Sequence, residues 1–334
     1  MTRWSMVRKL RRSSANFIWN KEQVHIDGLL NIDKPGDRSS HDVVAHIRRL
    51  TRMPRVGHAG TLDPQATGVL IIGLGAGTKL TQFLHECPKT YRATLRLGVR
   101  TDTCDASGRV VEVRPVREMS SADVEAMLVG FRGVIEQIPP MFSALKRQGQ
   151  RLYTLARQGI DVERQPRRVQ IFRLHMLEYT AASLSLEVEC SSGTYIRVLA
   201  DDIGIRLGCG AHLSALVRTT IGPFPLSQAL TLTALEEAVR QDRWLHHVIP
   251  LSAAVTTFPA LILTAAAAKG LGHGVAPTRL GIARQLGTFE AEDTVALLGP
   301  DEALLAMGSA SCSAAKLEEM PQSAPIVKLR RVLH

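Results

Sequence analysis

The sequence predicts an α+β protein in two unequal parts, and three observations carry this. Between about residues 26 and 250, segments with a two-residue apolar period alternate with amphipathic helical patterns. From about residue 255, helical signals give way to short apolar runs separated by Gly, Pro or small residues, the pattern of a small β-rich domain. The 334 residues are enough for a sizeable core and two domains, and 45% apolar against 22% charged residues is the balance of a folding chain.

Residues 1–25 are polar and basic without a sustained period and are expected to form a mobile arm; no apolar stretch or cleavage site of a secretion signal follows. GLLNIDKP (28–35) predicts a strand that Pro35 and Gly36 terminate. Ser39 and Asp42 form a capping box ahead of HDVVAHIRRLTR, in which Val43, Ile47 and Leu50 share a face and Arg48, Arg49 and Arg52 lie off it.

KTYRATLRLGVRT alternates: Tyr91, Ala93, Leu95, Leu97 and Val99 face one way, Arg92, Thr94, Arg96 and Arg100 the other. Ser120 and Asp123 cap a helix through Val129, and Pro139-Pro140 opens an irregular basic segment. ASLSLEVECSS is a strand with Leu184, Leu186, Val188 and Cys190 on one face. The helix in GTYIRVLADDIGIRLGCG then buries Ile196, Leu199, Ile203 and Leu207 and stops at Gly208 and Gly210. A further helix is expected over 232–241. In the second part PALILT, GVAPTRLG, DTVALLGP, EALLAMG and IVKLRRVL read as strand-like pieces, and 309–324 as a polar loop.

Forty-one Lys and Arg against 31 Asp and Glu give a net charge of +10, and the pI is near 9.7. A polyanion is therefore the expected partner. The longest uncharged run, about 253–268, is broken by Pro259 and falls short of the roughly 20 residues that span a bilayer. Nucleic acid is favoured over membrane.

Five scattered cysteines without a C-x-x-C pair support neither a disulfide framework nor a zinc site, and fit a cytoplasmic protein. The eleven histidines show no metal-binding spacing. GLGAGTK (73–79) lacks the Gly-Lys-Ser/Thr order of a phosphate loop and the spacing of a dinucleotide fingerprint, so close packing at a turn is expected. DTCDASG (102–108) lacks EF-hand spacing and reads as a turn. No cofactor and no metal are expected.

GHAGTLDPQATGVL (57–70) sets one carboxylate, Asp63, in a nearly chargeless stretch. Asp before Pro suits the start of a helix, and on this stretch alone that reading is the stronger. The remainder of the chain shifts the balance. GLLNIDKPGDRSSHDVV (28–44), GHAGTLDPQATGVLIIGLGAGTKL (57–80), KTYRA (89–93) and SSGTYIRVLADDIG (191–204) together, and in this order, resemble the TruB/dyskerin family of pseudouridine synthases. The resemblance is closest to the bacterial branch that modifies position 55 in the T loop of tRNA. PPMFSALKRQGQRLYTLARQG (139–159) is similar to the family's RNA-gripping insertion, placed here at 139–168, and GCGAHLSALVRTTIGPF (208–224) to the segment closing the catalytic domain. Residues 1–25 have no counterpart in that pattern, which makes Met6 an alternative start.

The resemblance implies a catalytic domain over 26–250, with a mixed, mostly antiparallel sheet flanked by helices, and a small PUA-like RNA-binding domain over 255–334. It makes Asp63 the catalytic aspartate, Tyr91 the residue against the target base and Arg197 the partner of the aspartate. His58 would help hold the disrupted T loop, Leu216 would wall the pocket, and Lys34 and Pro35 would support the active-site loop. For Leu216 and for the Lys34-Pro35 pair, packing and a turn explain the residues nearly as well.

The implied reaction isomerises uridine: the bond from C1′ to N1 breaks, the base rotates, and C5 joins C1′. Attack at C1′, addition at C6 and removal of the 2′ proton to give a glycal stay open, the family favouring the glycal. The nucleotide must be flipped out of folded RNA, at a cost basic groups offset. Arg48, Arg49, Arg52, Arg92, Arg96, Lys146, Arg147 and Arg151 are candidates for phosphate contact, with affinity falling steeply in salt. A monomer acting on the tRNA T stem-loop without a protein partner is expected. The alternatives are an RNA-binding or tRNA-folding protein with secondary catalysis, and a guide-RNA-dependent, dyskerin-like synthase.

Overall fold

The computed structural model describes residues 26–333 apart from 144, 145, 148 and 161. The arm expected over 1–25 and the side chains of Lys146, Arg147 and Arg151 lie outside the described residues.

The large unit begins β1 (Gly28–Lys34), α1 (Ser40–Thr51), β2 (Val56–Ala59), β3 (Thr67–Leu74), α2 (Thr81–Glu86), β4 (Lys89–Leu97). It continues β5 (Val99–Thr101), β6 (Val110–Val113), α3 (Ser121–Leu128), β7 (Gly133–Gln137), β8 (Lys146–Arg147), β9 (Gln150–Arg151), α4 (Leu152–Arg157). It closes with β10 (Arg167–Tyr179), β11 (Ser183–Cys190), α5 (Ile196–Arg206), β12 (Ala211–Ile221), β13 (Phe224–Pro225), β14 (Leu230–Thr231) and α6 (Leu232–Arg240). The small unit is β15 (Ala260–Leu263), α7 (Ala265–Gly272), β16 (Ile282–Leu286), β17 (Thr294–Leu298), β18 (Leu304–Ala310) and β19 (Val327–Val332).

The main sheet has the order β14-β1-β3-β12-β4-β11-β10-β7, with β2 paired to β3 and β13 to β12. Its neighbours are antiparallel except β1 with β14 and β3 with β12. The fold class is thus the α+β arrangement expected, with a mixed, mostly antiparallel sheet. Strand composition follows what covers each face. β1 and β3 are almost continuously apolar because both faces are buried: Leu30, Ile32, Leu70 and Ile72 pack with α1 and α6, while Leu29, Val69 and Ile71 pack with α2 and the small unit. β4 and β11 alternate, because only the face carrying Tyr91, Ala93, Leu95, Leu186 and Val188 is covered, by α3 and α5.

Both capping boxes form, Ser39 with Asp42 and Ser120 with Asp123. The strand through Tyr91 is shorter than its alternation implied. Gly98 takes φ +81, so the chain turns there, and Val99 begins a separate hairpin of β5 and β6. The glycines of GLGAGTK do pack: a Cβ on Gly73 would lie 2.7 Å from the Gly77 backbone.

The small unit is a five-stranded sheet, β16-β15-β17-β18-β19. Its reading from sequence needs three corrections. ALILTAAAAKG continues past β15 into α7, which Thr264 caps by accepting from the Ala267 N–H. GVAPTRLG holds a 3-10 turn at Arg279–Gly281 rather than a strand, with β16 following it. The 309–324 stretch contains the end of β18 and a 3-10 helix, Ala314–Glu319, that buries Leu317. Alanine-rich and polar short turns carry little period, so these elements are set by packing. The two units share one apolar cluster, in which Phe83, Leu84 and Ile221 meet Ile262, Met307 and Leu333. Arg330 lies 5.0 Å above the Phe83 ring and pairs with Glu86 at 3.2 Å.

The parallel seam of β3 and β12 is closest at Gly68, where a Cβ would fall 2.2 Å from the Arg218 carbonyl oxygen and φ is +99. Gly68→Ala should therefore lower stability by about 3 kcal/mol or more in urea unfolding, by strain and clash together. Gly130→Ala, with nothing within 4 Å, should change it by less than about 0.5 kcal/mol.

Candidate active site

Asp63 lies on the loop between β2 and β3. It does not start a helix: the Ala66 N–H donates to the Asp63 carbonyl at 3.0 Å, closing a turn around Pro64-Gln65, and β3 follows at Thr67. Asp then Pro suits such a turn as well as a helix start, and the strand that follows decides between them. The loop is held by side chains from distant elements. The Leu62 N–H donates to Ser40 Oγ at 2.9 Å, and the fully buried Lys34 ammonium donates to the carbonyls of Pro64 (3.0 Å), Pro35 (2.9 Å) and Arg38 (2.6 Å). Burial, then the charge of Arg218, lowers the Lys34 pKa to about 8.

The Asp63 carboxylate meets Arg197 of α5, Oδ2 to Nη1, at 3.1 Å. The two differ in burial: the Arg197 side chain is 7% exposed and that of Asp63 is 47% exposed. The guanidinium is therefore the floor of the site and the carboxylate its open edge. Arg197 Nη1 also pairs with Asp105 Oδ2 at 3.4 Å, and Nη2 donates to the Phe142 carbonyl at 2.6 Å. Gln137 bonds both the N–H and the carbonyl of Tyr195, at 3.0 and 3.3 Å, tying the root of the 139–168 segment to the start of α5.

Asp105 sits between β5 and β6. Burial alone would raise its carboxyl, but donors from Ser107 and Thr103, with the Arg197 charge, hold it below the ordinary range. Arg100 straps this hairpin to α5 by two bonds to Asp201, 2.7 and 2.9 Å. Arg100 is thus an internal strap and not part of a wet basic face.

Tyr91, on β4, is buried beside Leu62, Ala66, Ile196 and the partly buried Leu216. Burial pushes its phenol up, with the cation of Arg218 working the other way. It is therefore neutral near pH 7. His58 lies on β2; its ring meets that of His41 edge-on, centroids 5.3 Å apart. Both line a groove of about 510 Å³ between α1 and β2, with Arg48 and Arg55.

The structure thus brings Asp63 against Arg197 and packs Tyr91 and Leu216 with Leu62 and Ala66 of the same loop, with Lys34 bonded to that loop at Pro64. It does not gather Arg92 and Arg96. These alternate with Tyr91 along β4 and emerge on the opposite face of the sheet, where Arg92 is in register with Glu187. Asp105 and Arg218 escaped the sequence reading. Asp105 was hidden in an ordinary turn sequence. Arg218 carried a usable signal, a charge two residues after Leu216 on a strand, where period two points it inward. Among the described residues no group of three His, Cys, Asp or Glu converges to hold a metal, and no helix is long and apolar enough to cross a membrane.

Burial, then the charges of His41, Arg218 and His85, pushes the His58 imidazole down to about 4, from an ordinary value of 6.5. A base with a lowered folded pKa contributes fully above its unfolded value and loses that contribution as pH falls toward the folded one. His58→Gln should therefore reduce the acid destabilisation seen in urea unfolding between about pH 7 and about pH 4.5, by about 1–3 kcal/mol.

Comparison with known proteins bears on this constellation. Residues 48–196 match the model of the TruB family pseudouridylate synthase N-terminal domain, and 197–256 that of the tRNA pseudouridylate synthase B C-terminal domain. The tRNA pseudouridine synthase B of Syntrophotalea carbinolica is 43% identical over 279 residues, 84% of this chain and 90% of that protein. That of Burkholderia lata is 48% identical over 251 residues, 75% and 77% respectively. Among solved structures, a chain of a Cbf5-Nop10-Gar1 complex superposes with a TM-score of 0.77 at 28% identity, covering 92% of this chain and 85% of that one. An H/ACA RNP bound to a substrate RNA containing 2′-deoxyuridine gives 0.74 at 25% identity, with 92% and 85% covered. With these matches spanning the cleft and the sheet that builds it, the chain belongs to the TruB family of pseudouridylate synthases.

Proposed function

We propose that this protein isomerises a uridine of tRNA, that of position 55 in the T loop, to pseudouridine, with Asp63 as the reacting carboxylate. The observation that carries the reading is the 3.1 Å pair of a half-exposed Asp63 and a buried Arg197. A carboxylate must be ionised to attack carbon or to take a proton at neutral pH, and a fixed cation favours the charged form. Because Arg197 is held from behind by Asp105 and the Phe142 carbonyl, it keeps its place while charge moves from Asp63 to the ribose. Such pre-set charge needs no reorganisation during the reaction.

In the proposed cycle the target nucleotide is flipped into the cleft and its base lies against Tyr91 and Leu216. Asp63 acts at the ribose as the C1′–N1 bond breaks, either taking the 2′ proton or adding at C1′; the base turns and C5 bonds to C1′, with the proton on Asp63 returned to C2′ in the first case and the carboxylate displaced from C1′ in the second, and the C5 proton is finally lost as N1 gains one. Atoms balance without donor or redox partner. His58 and the groove beside α1, with Arg48, Arg49 and Arg52, hold the T loop and its phosphates. The 139–168 segment, with Arg147 and Arg151, closes over the RNA, and the 255–334 unit, PUA-like, adds RNA contact. The protein works in the cytoplasm as a monomer without a protein partner.

The test is incubation with an unmodified tRNA transcript followed by chemical mapping. The native protein should convert one T-loop uridine, and Asp63→Asn should be slower by roughly a thousandfold or more. It should still fold, since Arg197 retains Asp105. A native protein inert on bare tRNA would point to guide-dependent action, and a fully active Asp63→Asn would sink the assignment. Asp105→Asn, which loosens Arg197 without touching the ribose, should slow the single-turnover rate roughly 10–100-fold, with tRNA affinity little changed in filter binding.

A further inference from the structure

Arg218 is the largest fully buried side chain among the described residues, 1% exposed, and its guanidinium has no carboxylate partner among them. Isolated charges are costly to bury, and unpaired ones are rare unless the fold needs them. Its donors show what it is for. Nε donates to the Val69 carbonyl at 2.8 Å, Nη2 to the Gly60 carbonyl at 3.1 Å and Nη1 toward that of Thr61 at 3.5 Å. Arg218 is also in register with Tyr91 on β4, which puts the two side chains next to each other on one face of the sheet.

Gly60 and Thr61 lead into Asp63, and Tyr91 is on a different strand. Arg218 therefore joins two parts of the site that have no covalent proximity. Its own backbone is fixed on both sides, in register with Tyr91 across β4 and β12 and against Gly68 across the β3–β12 seam. Lys34 holds the far end of the same loop at Pro64. Between them the carbonyls flanking Asp63 are gripped by two buried cations from the two strands, β1 and β12, that flank β3.

We propose that Arg218 is a positioning residue for the reaction: its planar fork holds the Asp63 loop at a fixed distance from the neighbouring Tyr91 side chain on β4. The ring that receives the base is thereby held in one orientation relative to the carboxylate. Lysine keeps the charge but has no fork able to reach the loop carbonyls and that of Val69 together.

The proposal rests on the reading of the protein as a tRNA pseudouridine synthase, and the test separates the two. Single-turnover pseudouridine formation at saturating enzyme, tRNA binding and thermal melting are measured for the native protein, Arg218→Lys, Arg218→Met and Tyr91→Phe, alone and combined with Arg218→Lys. Failure of the native protein to modify tRNA would sink the functional reading itself. With an active native protein, Arg218→Lys should slow the chemical step roughly a hundredfold, the scale of a small misplacement of reacting groups, while tRNA affinity stays within about threefold. Arg218→Met should be slower still. In the Tyr91→Phe background the lysine substitution should cost distinctly less, because the contact between the two neighbours is already altered. Native rates in a folded Arg218→Lys, a rate loss matched by an equal affinity loss, strict additivity with Tyr91→Phe, or failure of both Arg218 variants to fold would each overturn the proposal.

Discussion

Arg197 is the group on which the cleft depends. A buried guanidinium needs acceptors in place of water, and three of them from three elements meet Arg197: Asp63 from the loop before β3, Asp105 from the β5–β6 turn and the Phe142 carbonyl from the root of the 139–168 segment. The requirement works in both directions. Desolvation of the cation makes each acceptor's position energetically defined, so the elements carrying them are drawn to one point. Asp105 is the acceptor with the most support of its own, and Asp63 the one with most access to solvent. The arrangement leaves the Asp63 carboxylate free to trade part of its bond to Arg197 for another partner, without stripping the cation of its counter-charge from Asp105.

The main sheet converts this local need into geometry. Its two halves differ in cover: β1 and β3 are sandwiched between helices and the small unit, whereas β4, β11 and β10 have one covered and one wet face. The parallel seam of β3 and β12 joins them, and the cleft opens beside it. Asp63 precedes one strand of the seam, Leu216 and Arg218 lie on the other, and Tyr91 is on the next. A rigid sheet is a better frame than a loop for fixing such relative positions, because each strand is restrained along its whole ladder of hydrogen bonds.

Legibility in the sequence followed the strength of local signals. The capping boxes at Ser39 and Ser120, the alternation of Leu184, Leu186, Val188 and Cys190, and the stripe of Ile196, Leu199 and Ile203 are short-range patterns, and all appear in the structure. Misreadings arose where local chemistry serves two outcomes. Asp63-Pro64 fits a helix start and a turn alike. Val99 continued an alternation that Gly98 had already ended, and the alanines after Leu263 have too little contrast to declare a face. Arg92 and Arg96 lie on the outward face that their alternation with Tyr91 implies, away from the residues around Asp63.

By itself the sequence determined the order of most elements, the α+β class and a basic character suited to a polyanion, and its motifs singled out Asp63, Tyr91 and Arg197 through their resemblance to a family. These are properties of spacing, composition and motif, which a chain carries before it folds. Only the tertiary structure decided that Asp105 shares Arg197, that Arg100 straps its hairpin to α5, and that Arg218 grips the carbonyls leading to Asp63. Each of these joins residues far apart in the chain through a burial requirement, and desolvation exists only once other elements have closed over the charge.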